Sequence, residues 1–379
     1  MKNKKVLIIA VVAVVLVVAV VLGVVLLGGN KNPDPTTTTT TTKKNPPVSS
    51  LATYKLGMGV AFGGHSDVES NATVATVVLD KDGKIVACRL DVAQNKYGFN
   101  EDEEDVVFSR LVSKMELGDD YNMADYGTPN VEGGTVKEWY VQAKAFEAYV
   151  VGKTAAQVAA LETQEVNHHQ ISADDALLNA GCTIDIVDFK AAVVKACNDE
   201  QGVTFETDKT FTLGLALESA NSGSSAEDAD NYTVKMNVEF AASVVIDGKI
   251  AASLNDAYQP AITVEDGEVV SANVGKKDEN GQDVGLMSKR ELKGYYMMAV
   301  YGASQDGDGD GRVLEWFEQS AAFSAHVVGM TGAEVAGMTT APNNINYEMS
   351  TDADLVAAGC TITITGIKAV VAESVTNAR

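Results

Sequence analysis

Basic residues are scarce in this chain: 29 Lys and Arg stand against 52 Asp and Glu, giving a formal net charge of −23. So acidic a surface repels nucleic acid and anionic lipid headgroups, which argues against both as partners. Cysteine is scarcer still. Cys88, Cys182, Cys197 and Cys360 show no Cys-x-x-Cys spacing, so they encode no dithiol or zinc site. They read as buried thiols acting as small apolar groups. Of the 7 prolines, Pro33, Pro35, Pro46 and Pro47 precede residue 50, leaving the remainder nearly free of this breaker. No nucleophile elbow, no phosphate loop and no pair of carboxylates recurring at helical positions is present, so hydrolytic and nucleotide-hydrolysing chemistry lacks its residues.

What is abundant is self-similarity. Ser113-Lys-Met-Glu-Leu returns as Ser288-Lys-Arg-Glu-Leu, and Met123-Ala-Asp-Tyr-Gly127 as Met298-Ala-Val-Tyr-Gly302, about 175 residues later. Glu138-Trp-Tyr-Val-Gln142 likewise matches Glu315-Trp-Phe-Glu-Gln319. A period this long exceeds that of solenoids and propellers and signals duplication of a whole domain. The expected division is residues 51–200 for the first repeat and 201–379 for the second. Positions kept in both copies are where function is sought.

Ahead of the repeats, residues 6–27 carry no polar side chain, long enough at about 1.5 Å per residue to span a hydrocarbon layer of roughly 30 Å as a helix. The run exceeds the apolar region of a cleaved signal and lacks a small-residue cleavage site after it, so residues 6–28 are expected to be an uncleaved anchor. Lys2, Lys4 and Lys5, in the basic stub 1–5, place the N-terminus in the cytoplasm and the rest outside, a single-pass cell-membrane protein. Residues 29–50, rich in Thr and Pro, cannot bury a core and read as an extended stalk.

Each repeat reads as α+β. Alternating β-branched runs at 54–62, 72–79 and 84–92 are strands, the last two joined through Asp80-Lys-Asp-Gly83 as a hairpin. Residues 211–217, 234–246 and 249–254 repeat the pattern around Asp247-Gly248, and a further hairpin turns at Glu265-Asp-Gly267. Trp139, Ala143, Phe146 and Val150 mark an amphipathic helix over 136–151, closed by Gly152 and followed by a capping box at Thr154 and Gln157. Trp316, Ser320, Phe323, Val327, Gly329, Thr331 and Glu334 follow the same grammar. Residues 182–187 and 360–364 are expected as a last strand leading into a helix. The fold class is therefore α+β, with two homologous domains, each an antiparallel sheet packed with helices, after an N-terminal transmembrane helix.

The final segments, Ala180-Gly-Cys-Thr-Ile184 and Ala358-Gly-Cys-Thr-Ile362, each precede an Ala/Val-rich helix. They resemble the Ser-Gly-Ala-Thr segment of FMN-binding domains, and the Asp-Gly-Lys-Ile hairpin is similar to that family as well. The anchored tandem layout resembles extracellular flavin-carrier lipoproteins of Gram-positive bacteria. Ala stands directly before the threonine in that family, where this chain has Cys182 and Cys360. The resemblance implies FMN as cofactor, joined or not to Thr183 and Thr361 through a phosphoester made by a separate flavin transferase, with Gly181 and Gly359 beside it. It also implies an electron carrier with redox partners rather than a turnover enzyme. On spacing alone, Thr-Ile-Thr-Ile is a half-buried strand with polar residues outward.

Tyr126 and Gly127 recur as Tyr301 and Gly302 just ahead of Trp139 and Trp316. Such an aromatic, glycine-rich loop can embrace a flat ring, although Trp in the first turn of an amphipathic helix is also ordinary core. Asp306, Asp308 and Asp310 reproduce half of a calcium loop, with Phe317 where a bidentate Glu belongs, so weak calcium and an acidic surface turn both remain open. His168 and His169 have no third metal ligand at suitable spacing and no copy in the second repeat, which reads as a solvated loop. Against the flavin carrier stands a non-enzymatic surface module for ligand binding, structure or adhesion.

Overall fold

The computed structural model describes residues 51–131, 134–301, 313–342 and 348–379, without the side chains of residues 300 and 301. The expected anchor and stalk, Gly302, Asp306, Asp308, Asp310 and the side chain of Tyr301 lie outside the described residues. Among the described residues no helix is long and apolar enough to cross a membrane. The described residues form one compact unit.

In the first repeat, Ala52–His65, Glu69–Leu79, Ile85–Asn100 and Asp105–Arg110 form an antiparallel meander, with Val203–Thr207 added along the edge of the first strand. The Asp-Gly hairpin forms because the Asp80 carboxylate accepts from the amides of Asp82 and Lys84, both at 2.9 Å, while Gly83 takes φ 72°. The first and third strands run beyond their expected ends, and the acidic segment 100–105 is the turn into the fourth.

The second repeat centres on Tyr232–Ile246, flanked by Thr212–Asn221 and Lys249–Tyr258, with Ala261–Glu265 on its early part and Glu268–Asn273 beyond. What is one strand in the first copy is two here, because Pro260 has no amide proton for the ladder.

Every residue from Ala72 to Leu79 is buried, so this strand is covered on both faces. On one face Ala72, Val74 and Val78 join Met58 and Val60, and meet Leu215, Val238 and Phe240 of the second sheet in a shared core. On the other face Ala75, Val77 and Leu79 pack under Trp139, Phe146, Phe189 and Ala192. The second sheet mirrors this, with Ala241 and Ile250 under Trp316, Phe323, Ile367 and Val371. The layers run helix, sheet, sheet, helix. Each copy keeps a private core beneath its helices and shares a third one, where a self-sufficient core in each repeat was expected.

The covering helices are Trp139–Val150 and Val187–Cys197 in the first copy, Trp316–His326 and Thr365–Thr376 in the second. Both capping boxes form, at Thr154 with Gln157 and Thr331 with Glu334. Gly57 and Gly214 let a helix lie directly on its sheet, since a Cβ there would run into the carbonyls of Ala196 and Ser374. Across the copies, Arg290 pairs with Asp199 at 3.0 Å, their side chains 7% and 8% exposed, and the Tyr232 hydroxyl donates to the Asp67 carbonyl at 2.7 Å.

The segment expected as a last strand is not one in either copy. Residues 182–186 and 360–364 join no strand ladder, because their backbone bonds to a glutamine side chain and to the preceding helix, with one amide in each copy reaching a carbonyl of a short strand. The Thr183 amide donates to Gln142 and the Ile186 amide to the Gln170 carbonyl. All four cysteines are buried and free.

Candidate functional site

The short helix Lys114–Leu117 is started by Ser113, whose hydroxyl accepts from the Glu116 amide and donates to Asp91 at 2.7 Å. Asp91 also accepts from the Met115 amide at 2.9 Å, and burial pushes its carboxyl up to about 7. The second copy repeats the arrangement. Ser288 caps Lys289–Leu292, the Arg290 amide donates to Asp256 at 3.0 Å, and burial raises Asp256 to about 6. These strand carboxylates fix where the following lysines sit.

Lys114 places its ammonium 4.9 Å from the Tyr121 ring and 5.7 Å from the Trp139 ring. Lys289 does the same with Tyr296 at 5.2 Å and Trp316 at 5.0 Å. Lys289 is buried, and desolvation lowers it to about 8.

Each Trp helix then holds the Gly-Cys-Thr turn. Gln142 accepts from the Thr183 amide at 2.8 Å and from its hydroxyl at 3.2 Å, and donates to the Lys137 carbonyl at 2.8 Å. Gln319 accepts from the Thr361 amide at 2.8 Å and hydroxyl at 3.4 Å, and donates to the Leu314 carbonyl at 2.9 Å. Gly181 and Gly359 end the preceding helices at φ 97° and 89°, a region costly for residues with a Cβ. Glu138 and Glu315 each accept the first two amides of a preceding short helix, Met123–Tyr126 and Met298–Tyr301.

In the first repeat these parts enclose a cleft of about 380 Å³. Gly127 and Thr183 both line it, beside Lys114, Tyr121, Trp139, Gln142, Asp188 and Phe189. Gly181 lies next to it, against the Lys137 side chain. Tyr126 is 86% exposed and does not line it. Thr183 is half-buried, whereas Thr361 is only 5% exposed, so the second turn is drawn in among its neighbours. Trp139 and Trp316 are buried at 3% and 4%, serving as core and as ring partners of the lysines together.

Among the described residues no group of three or more His, Cys, Asp or Glu could hold a metal. Asn167 and His168 turn a small hairpin between Thr163–Val166 and His169–Ser172, and His169, the first residue of the second strand, lines the cleft.

Sequence reasoning missed Lys114 with Lys289, Gln142 with Gln319, and Asp91 with Asp256. The first two pairs sit inside the repeated segments and were legible as positions kept in both copies. The aspartates needed the strand register to be aligned on the Asp-Gly-Lys-Ile turn. Compared with known protein families, curated proteins and solved structures, the chain matches none.

Proposed function

We propose that the first repeat binds a flavin, FMN by resemblance, in the Thr183 cleft, and that the chain serves as an electron carrier held outside a membrane by residues 6–28. The observation that carries this reading is the convergence of Thr183 and Gly127 on one cleft walled by Trp139, Tyr121 and Phe189. A cleft of about 380 Å³ lies within the ordinary size range for a small-molecule site. Its aromatic walls suit the face of a flat ring, and its amides and charges suit a polar edge. Bound flavin would supply the redox chemistry, while the chain binds and orients the ring.

The two threonines do not fit the cofactor equally. Thr183 is half-buried on the cleft wall, so an ester at its hydroxyl requires only that the bond to Gln142 be given up. Thr361, 5% exposed, does not accommodate a phosphoester in this conformation. The flavin load is accordingly assigned to the first repeat. The test is to co-express the full chain with a flavin transferase and record intact mass and visible absorbance. One FMN per chain, lost in Thr183→Ala if esterified, is expected; a colourless protein of unmodified mass sinks the reading.

A surface ligand-binding module without redox role is favoured by one observation: Asp185 and Asp188 both line the cleft, and their charge opposes a phosphate. That reading expects a colourless chain whose cleft takes an uncharged ligand.

A further inference from the structure

The two repeats differ where a carboxylate enters the cleft, and the differences cancel. In the first copy Asp188, near the start of the helix Val187–Cys197, lines the cleft opposite Thr73 of the strand Glu69–Leu79. Thr73 pairs with Ala61 and Val92 in the sheet. The equivalent strand position in the second copy, paired with Glu218 and Ala257, is Glu239. The helix position equivalent to Asp188 is Gly366, and the Glu239 carboxylate occupies the space where a Cβ on Gly366 would stand. One copy takes its acid from the helix, the other from the strand.

In both copies the acid works on the same partner. The charge of Lys114 acts on Asp188, and that of Lys289 on Glu239, each opposing the upward push of burial on the carboxyl. Yet no ion pair within 4.0 Å closes between acid and lysine in either copy among the described residues. Asp188 also makes no hydrogen bond there, unlike Asp185, whose two oxygens accept from the amides of Gln170 at 2.8 Å and Val187 at 2.9 Å. Lys114 lies against the faces of Tyr121 and Trp139, and its charge also acts on Glu69. A donor-only ammonium and an acceptor-only carboxylate thus face one cleft without meeting.

We infer that the Lys114 and Asp188 pair reads a ligand edge carrying a carbonyl beside an N–H, as in a cyclic imide; Lys289 and Glu239 keep the same two charges together in the second copy. The carbonyl accepts from the ammonium while the N–H donates to the carboxylate. This deepens the flavin reading, since an isoalloxazine carries such an edge, but the chemistry recognised is the imide itself.

The test uses uridine, a non-flavin imide, and 3-methyluridine, which lacks the N–H, followed through the indole N–H resonance of Trp139 in the full chain. Uridine is expected to give a saturable shift and 3-methyluridine to bind about tenfold more weakly or not at all, the size of one lost hydrogen bond to a charged group. Asp188→Gly and Asp188→Leu, which leave no acceptor there, should each lose that discrimination. Thr73→Glu combined with Asp188→Gly, which builds the second copy's arrangement into the first, should restore it. Equal binding of the two nucleosides, no binding of either, or discrimination retained in Asp188→Leu overturns the inference. Uridine discrimination without any FMN binding would leave the inference standing and remove the flavin reading. FMN binding indifferent to methylation of its imide nitrogen would do the reverse.

Discussion

The two repeats share a skeleton and differ in what they leave open. Asp91 and Asp256, Gln142 and Gln319, Lys114 and Lys289 occupy matching places with matching bonds. Around the first lysine a cleft of about 380 Å³ reaches a half-buried Thr183, while the second threonine is 5% exposed. The lesson is that duplicated positions divide into two kinds. Those that hold the turn are kept in both copies, and what differs between the copies is the exposure of the threonine beside them.

The comparison can be broken most severely at the joint between the copies. Asp199→Ala leaves Arg290 buried without its ion-pair carboxylate, with the Gln201 carbonyl still accepting from it, an expected loss of about 3 kcal/mol. Urea unfolding of this variant should remain a single transition at a lower midpoint. Two separate transitions would mean that the repeats are independent domains after all.

A smaller effect follows from the buried aspartates. Their folded pKa values lie above the ordinary 3.8, so each contributes stability at low pH that is lost as pH rises. The window runs from about 4 to about 7 for Asp91 and ends near 6 for Asp256. At about 1.4 kcal/mol per tenfold change in proton affinity, the loss is on the order of a few kcal/mol. Asp91→Asn should therefore flatten the fall of melting temperature between pH 4 and 7 more than Asp256→Asn does. An unchanged slope in Asp91→Asn would show that this carboxyl is ionised throughout.

The smallest effect sharpens the likeness. Thr154→Ala and Thr331→Ala each remove one capping box and should each cost about 1 kcal/mol in denaturant unfolding, nearly equal in the two copies. A large inequality would locate further packing at one of these caps.

Features decided within a few residues were legible beforehand. The Asp-Gly turns, the capping boxes and the spacing of Trp139, Ala143, Phe146 and Val150 all depend on neighbours in sequence, and all formed as expected. The 182–186 segment did not, because Gln142 lies 41 residues from Thr183 and its side chain supplies the bond that a strand partner would have made. The shared core was also missed, although a signal existed. The nearly unbroken apolar run 72–79 is what a strand covered on both faces requires, and it was read as an ordinary alternating strand. Thr73 and Glu239 became comparable only through pairing register, which sequence spacing alone does not give.

The shared core carries a consequence for synthesis. The face formed by Met58, Val60, Val74 and Val78 has no cover until Leu215, Val238 and Phe240 arrive. With about 175 residues between equivalent points and translation at roughly 5–20 residues per second, that face waits on the order of ten to thirty seconds. A nascent chain in that interval presents a greasy, half-built sheet to its surroundings. Packing of the first half is thus completed only once the second half has been made.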